Sequence, residues 1–256
     1  MGKLLDSALI FATKAHEGQF RKGTQIPYIL HPMEAAAIVG TMTTDEEIIA
    51  GAVLHDVVED TDTTVEDVIN LFGARVGSLV ASESENKREE LPAESTWKVR
   101  KQETLDHLKT ASIEVKMITL GDKLSNVRAI YRDYQKIGDE LWQRFNQKDR
   151  KEHYWYYSSI AECLPELCEY QAYKEYCELV EIVFIDLITE NDHPMQILRD
   201  ALELHGLEFD DIIMVMAGVS DPMGQLDLAE WVADHPEATV QEMIAEGNRL
   251  IVKYEL

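Results

Sequence analysis

I-I-A-G-A-V-L-H-D-V-V-E-D-T, Ile48 to Thr61, is the stretch on which the fold turns. Its apolar residues recur at spacings of three and four, as they do from Leu4 to His16 and from Glu34 to Met42, which is the period of a helix with one buried face. The helix predicted over Ile48 to Leu54 ends on His55 and Asp56, two side chains able to hold a cation. Adjacent helical residues point about 100° apart, so both reach one ion only if other elements close the far side. His31, in an L-H-P turn, and Asp122, in a G-D-K-L-S-N run, are the candidates for those contributions.

Two imidazoles and two carboxylates suit borderline and hard divalent ions, whereas soft sites use thiolates. An ion held by four side chains in octahedral geometry keeps two positions for a phosphate oxygen and a water. Each residue taken singly has an ordinary structural explanation, because a histidine near a helix C-terminus is favoured by the dipole and aspartates cap helices.

Helical signals extend along the whole chain, and strand-like alternation is nearly absent, so the fold is predicted as all-α. Thr44 with Glu47 and Thr239 with Glu242 have capping-box spacing, and Pro32 and Pro194 stand where a first turn tolerates a missing N–H. The polar run Ser82 to Ser95 reads as a long loop able to cover a pocket. A helix over Val180 to Leu187 is expected to stop at T-E-N-D-H-P, which places a boundary between residues 1–188 and 189–256. Beyond it, helices are expected at Met195 to His205, Phe209 to Ala217, Leu226 to Ala233 and Val240 to Tyr254.

The chain of 256 residues carries a formal charge of −24, and from Glu190 onward 15 acidic and 3 basic residues leave a net of −12. Such a field disfavours nucleic acid and anionic membranes as partners, and a small anionic ligand needs cations concentrated locally. Cys163, Cys168 and Cys177 fit neither an even disulfide framework nor a C-x-x-C site. With no signal-peptide pattern or apolar span near the N-terminus, a soluble cytoplasmic protein is expected.

Four runs go further: A-T-K-A-H-E-G-Q (Ala12 to Gln19), P-Y-I-L-H-P (Pro27 to Pro32), L-H-D-V-V-E-D-T (Leu54 to Thr61) and G-D-K-L-S-N-V-R (Gly121 to Arg128). In this order they resemble the HD-domain hydrolases of the RelA/SpoT alarmone family, especially the small stand-alone (p)ppGpp hydrolases, over the first ~188 residues. The resemblance implies an HD-domain helical bundle with the acidic helical segment appended, and His31, His55, Asp56 and Asp122 as ligands of Mn²⁺ or another divalent metal. It implies Glu59 and Asp60, one turn beyond His55-Asp56, as the catalytic pair acting on water; in isolation they would be a solvated acidic turn ahead of caps at Asp62 and Thr64.

For the nucleotide, the resemblance implies Arg21 and Lys22 in F-R-K-G-T, Lys98, Arg100 and Lys101 in T-W-K-V-R-K, Asn126 one turn after Asp122, and Tyr154 in H-Y-W-Y-Y. Lys87-Arg88, Lys123 and Arg128 are further basic candidates, and His16 and Lys123 are candidates to stand at or behind the metal. His107, His153, His193, His205 and His235 match no run of the family.

The expected activity is hydrolysis of the 3′-pyrophosphate of ppGpp or pppGpp to GDP or GTP. One alternative is the same chemistry on another nucleotide, such as the NADPH 2′-phosphate or a nucleoside monophosphate. Another is a nucleotide-sensing or partner-binding protein working through the acidic C-terminal segment. That segment is open to docking on the core, to homo-oligomerisation, or to binding something basic.

Overall fold

The computed structural model describes residues 2–84, 88, 92–191, 193–219 and 221–254. It is all-α: among the described residues there is no strand, only an isolated antiparallel bridge between Phe20 and Pro27. The described residues form two compact units, Met1–Val183 and Phe184–Leu256.

The first unit is built around one long helix. In chain order its elements are α1 (Lys3–Ala15), α2 (Leu30–Val39), α3 (Glu46–Leu54), the single turn α4 (Val57–Asp60), α5 (Val65–Phe72), α6 (Ala74–Glu83), α7 (Ala93–Leu108), α8 (Ile113–Ile137), α9 (Arg150–Cys163) and α10 (Gln171–Asn191), the last crossing into the second unit. Ser112 caps α8 by accepting from the Val115 N–H, and Gly138, at φ 55°, ends it in a conformation that side chains with a Cβ rarely take. Val115, Ile118, Leu120, Leu124 and Val127 are buried around the circumference of α8, which marks a helix enclosed by others. Helices α2, α3 and α6 pack on it, and α1 packs on α3.

Close approach is what lets α2 and α8 share a site. A Cβ on Gly121 would lie 2.8 Å from the Ala35 carbonyl oxygen, so only glycine lets the backbones meet there. Ala35 is one turn past His31, and Gly121 precedes Asp122, so the contact that needs a glycine also brings those two side chains together.

Several local expectations change. His31 lies in the first turn of α2, because that helix starts at Leu30. Asp45, not Thr44, caps α3, its carboxylate accepting from the Glu47 N–H, while the Glu47 side chain is drawn away to Arg75 at 2.7 Å. Thr64 caps α5 in a reciprocal box with Asp67. The polar run from Ser82 is helical through Glu83 and again from Ala93, and residues 85–87 and 89–91, including Lys87, lie outside the described residues. Helix α10 does not stop at Leu187: Phe184 takes a non-helical φ of −114° and ψ of 15°, and the helix resumes to Asn191. Thr189–Asn191 contain no breaker, and Pro194 is placed in the first turn of the next helix, where its missing N–H costs nothing.

The second unit contains α11 (His193–His205), α12 (Phe209–Met216), α13 (Pro222–Asp234) and α14 (Val240–Tyr254). Leu198, Leu202, Ile212, Val215, Leu228, Val232, Met243 and Leu250 make its core. Thr239 and Glu242 form the expected capping box ahead of α14. No helix among the described residues is long and apolar enough to cross a membrane.

Candidate metal centre

His31 from α2, His55 at the end of α3 and Asp122 from α8 bring one ligand atom each to within 4.8 Å of one another. His31 Nε2 is 3.1 Å and His55 Nε2 is 3.7 Å from Asp122 Oδ1. Asp56, at the start of α4, closes the other side, its Oδ2 lying 3.0 Å from His55 Nε2 and 3.5 Å from His31 Nε2. Neighbouring ligands on an octahedron with bonds of about 2.1 Å are about 3.0 Å apart, so these spacings fit the edges of one coordination polyhedron.

Both imidazoles are aimed by their other nitrogen. His55 Nδ1 lies 2.8 Å from the Ala52 carbonyl, which can only accept, so Nδ1 carries a proton and Nε2 is the nitrogen open to a second proton or a metal. Ser125 donates its hydroxyl to Glu34 at 2.9 Å and is left to accept from His31 Nδ1 at 2.8 Å, which likewise leaves the His31 Nε2 lone pair on the cluster. His55 Nε2 is buried and makes no hydrogen bond, although carboxylate oxygens stand near it. A ring nitrogen facing acidic oxygens takes up a cation, either a proton or a metal ion.

Electrostatics point the same way. Burial, with the Arg21 guanidinium beside it, pushes His31 down; burial is also the largest influence on His55, but there the Asp56 and Asp122 carboxylates outweigh it and hold His55 well above the ordinary histidine value. Burial works against ionisation of Asp122 and Asp56 too, yet the Lys123 ammonium and the two imidazoles keep Asp122 well below the carboxylate range, and His55 does the same for Asp56. Lys123 Nζ sits 2.5 Å from Asp122 Oδ2.

The cluster lies on a cleft of about 430 Å³. Glu59 and Asp60 line it, as do Arg21, Arg100, Lys101, Lys123 and Asn126. Asn126 uses both ends of its amide within the protein, donating to Asp122 Oδ1 at 2.6 Å and accepting from Arg21 Nη2 at 2.7 Å. Lys22 faces instead a neighbouring cavity of about 170 Å³, shared with Arg21, Phe145 and Tyr157. The turn that carries Arg21 and Lys22 closes at Gly23, whose φ of 71° and nearness to Arg144 leave no room for a Cβ.

Among the described residues, Lys98, Tyr154, Arg128 and Arg88 line neither space. Lys98 is held elsewhere, its ammonium 3.2 Å above the Trp155 ring and 2.5 Å from the Glu152 carboxylate. Tyr154 is likewise absent from both, and Tyr157, almost one turn later on α9, takes the place by the smaller cavity. Arg128 forks onto Glu175 at 2.6 and 2.7 Å and reaches Glu34 at 3.0 Å, which makes it a brace behind Ser125 and His31. Arg88 is paired with Glu103 at 2.6 Å. His16 is buried, with Nδ1 2.8 Å from Gln19 Oε1.

Other residues on the cleft went unassigned in the sequence. Glu83 accepts from the Thr119 hydroxyl at 2.8 Å, and burial pushes its carboxyl up to about 7 against the pull of Lys123. Thr104, His107 and Leu108 share the lining face of α7 with Arg100 and Lys101; Thr104 is four and three residues after that pair and His107 and Leu108 three and four further on, and this spacing was the available signal. Tyr28 reaches Asp56 Oδ2 at 2.7 Å and Asp60 Oδ2 at 2.9 Å, and burial together with those two carboxylates raises its pKa far above the phenol range.

Comparison with known proteins agrees with this architecture. The HD-domain family profile matches residues 8–149. The GTP pyrophosphokinase rsh of Brucella melitensis is 33% identical over 127 residues, which is 50% of this chain and 17% of that protein. The guanosine-3′,5′-bis(diphosphate) 3′-pyrophosphohydrolase MESH1 of Danio rerio is 38% identical over 125 residues, 48% of this chain and 66% of that one. The chain thus spans less than two thirds of the length of these curated relatives. A solved structure of a metazoan ortholog of SpoT superposes with a TM-score of 0.55 at 24% identity, covering 73% of this chain and 96% of the other, and shares its fold.

Proposed function

The chain belongs to the HD-domain family, and on that premise we propose that it hydrolyses the 3′-pyrophosphate of guanosine 3′,5′-bis(diphosphate) nucleotides, giving GDP or GTP and pyrophosphate. The observation that carries this reading is a metal-type cluster on the same cleft as Glu59, Asp60 and four cationic side chains. His31, His55, Asp56 and Asp122 would hold the ion, with Mn²⁺ as its proposed identity. A divalent cation there lowers the pKa of a bound water and withdraws charge from a phosphoryl oxygen.

The chain's own groups supply the rest. Glu59 and Asp60 take the proton of the attacking water, which a carboxylate does well when held within hydrogen-bond reach. Arg100, Lys101 and Lys123 offset the pyrophosphate charge, and Lys101 and Lys123 stand 4.9 and 5.9 Å from the centre of the Tyr156 ring, which steadies both ammonium groups. Arg21 spans the cleft and the smaller cavity, so the nucleoside is assigned to the space beside Arg21, Lys22 and Tyr157. Residues 1–188 are proposed to contain this hydrolase, with 189–256 as an acidic extension.

The test is product chromatography after incubating protein and Mn²⁺ with guanosine tetraphosphate, NADPH or a nucleoside monophosphate. Release of GDP and pyrophosphate from the first alone is expected. Turnover of NADPH or a monophosphate instead would move the activity to another phosphate ester, and turnover of none would leave no enzymatic reading. Asp56→Ala should lose bound metal and activity together.

A further inference from the structure

We infer that Tyr28 is a positioning residue whose single hydroxyl ties the metal ligand Asp56 to Asp60 and so holds the ion and the proton acceptor at one spacing. This rests on the proposed role of Glu59-Asp60. The Asp56 oxygen that Tyr28 touches, at 2.7 Å, is the same Oδ2 that faces His55 and His31 at 3.0 and 3.5 Å. The second contact, at 2.9 Å, is to Asp60 Oδ2. A phenol has one proton, so the two carboxylates share one donor, and moving either one disturbs the other.

The hydroxyl is aimed by a clamped ring. Tyr28 packs 5.0 Å from the His16 ring and 5.9 Å from the His31 ring, and the Arg21 guanidinium lies 5.7 Å from its centre. The Tyr28 backbone N–H donates to the Gln19 carbonyl at 2.9 Å. Gln19 in turn donates its side-chain amide to the Asp60 carbonyl at 2.8 Å, and its Oε1 meets His16 Nδ1 at 2.8 Å. Asp60 is therefore held by its carboxylate from Tyr28 and by its backbone from Gln19. A one-turn helix, Val57–Asp60, has little rigidity of its own, which is why the tie falls to this outside segment.

Tyr28→Phe keeps the ring and removes only the hydroxyl. Mn²⁺ affinity, kcat and KM for guanosine tetraphosphate, and the thermal midpoint are measured on the full chain, for this variant, for Asp60→Asn and for the pair. Expected are about tenfold weaker Mn²⁺ binding and about tenfold lower kcat at saturating Mn²⁺, with KM within about twofold. In the Asp60→Asn background the hydroxyl should matter no further to kcat. Kcat losses that multiply in the double variant overturn the inference, as does a lowered thermal midpoint with unchanged Mn²⁺ affinity. If the wild-type protein turns over no such nucleotide, the proposed function fails and Mn²⁺ affinity decides alone: tenfold weakening supports the tie to Asp56, and no change overturns it.

Discussion

The two units bury different things. The first encloses His16, His31, His55, Lys116, Asp122 and His153, while among the described residues of the second the only buried polar side chain is Gln225, whose amide donates to the Val219 carbonyl at 2.9 Å. Ionisable groups are costly to bury unless each finds a partner, so a cluster of them in one core signals a site. The second unit has the ordinary solution, an apolar core beneath an acidic surface. Mutations can therefore be aimed at the polar cluster of the first unit or at the apolar core of the second.

The largest effect should come from Glu59→Gln, with kcat falling by about 10²–10⁴ while metal content by elemental analysis stays at the wild-type level. Lost metal would instead make Glu59 part of the ion's support. His55→Ala is expected to weaken Mn²⁺ binding by well over tenfold in a direct titration, since a ligand is removed outright. A variant that bound Mn²⁺ normally would dissolve the cluster as a metal centre.

The pH dependence should be next in size. The Asp56 and Asp122 carboxylates favour a second proton on His55 above the ordinary histidine range, and that proton competes with a metal for Nε2. Mn²⁺ affinity should therefore rise with pH, by up to about tenfold per unit, until it levels off above the usual histidine value. A profile already flat at pH 6 would contradict the raised value. Smallest at the site should be Leu202→Ala in the second unit, where a fully buried side chain is lost. It should cost that unit about 2–5 kcal/mol in denaturant unfolding and leave Mn²⁺ affinity unchanged. A shift in Mn²⁺ affinity would show that the two units are not energetically separate.

Much of the site was legible because its residues sit in short ordered runs. His31, His55, Asp56, Asp122, Glu59 and Asp60 could be named from local sequence, and all of them line the cleft. The substrate side was less legible. Lys98 and Lys101 are both basic residues on α7, but Trp155 and Glu152 capture the first, while the second faces the cleft. No local rule separates them, since the captors come from α9. Arg128 was diverted in the same way by Glu34 and Glu175. Tyr28 lies inside P-Y-I-L-H-P, yet its significance depends on Asp56 and Asp60, which are distant in sequence.

Helical periodicity and composition by themselves determined the helical class and the acidic character of the C-terminal quarter, because these depend on near neighbours or on residue counts alone, and the ordered runs offered His31, His55, Asp56 and Asp122 as candidate ligands. Tertiary structure alone decided which cations face the cleft, which tautomer each histidine presents, and where α10 bends. Those outcomes depend on side chains tens of residues away, such as Ser125 against His31 and Arg21 against Asn126, whose meeting is set by the close packing of α2 on α8 and by the turn at Gly23.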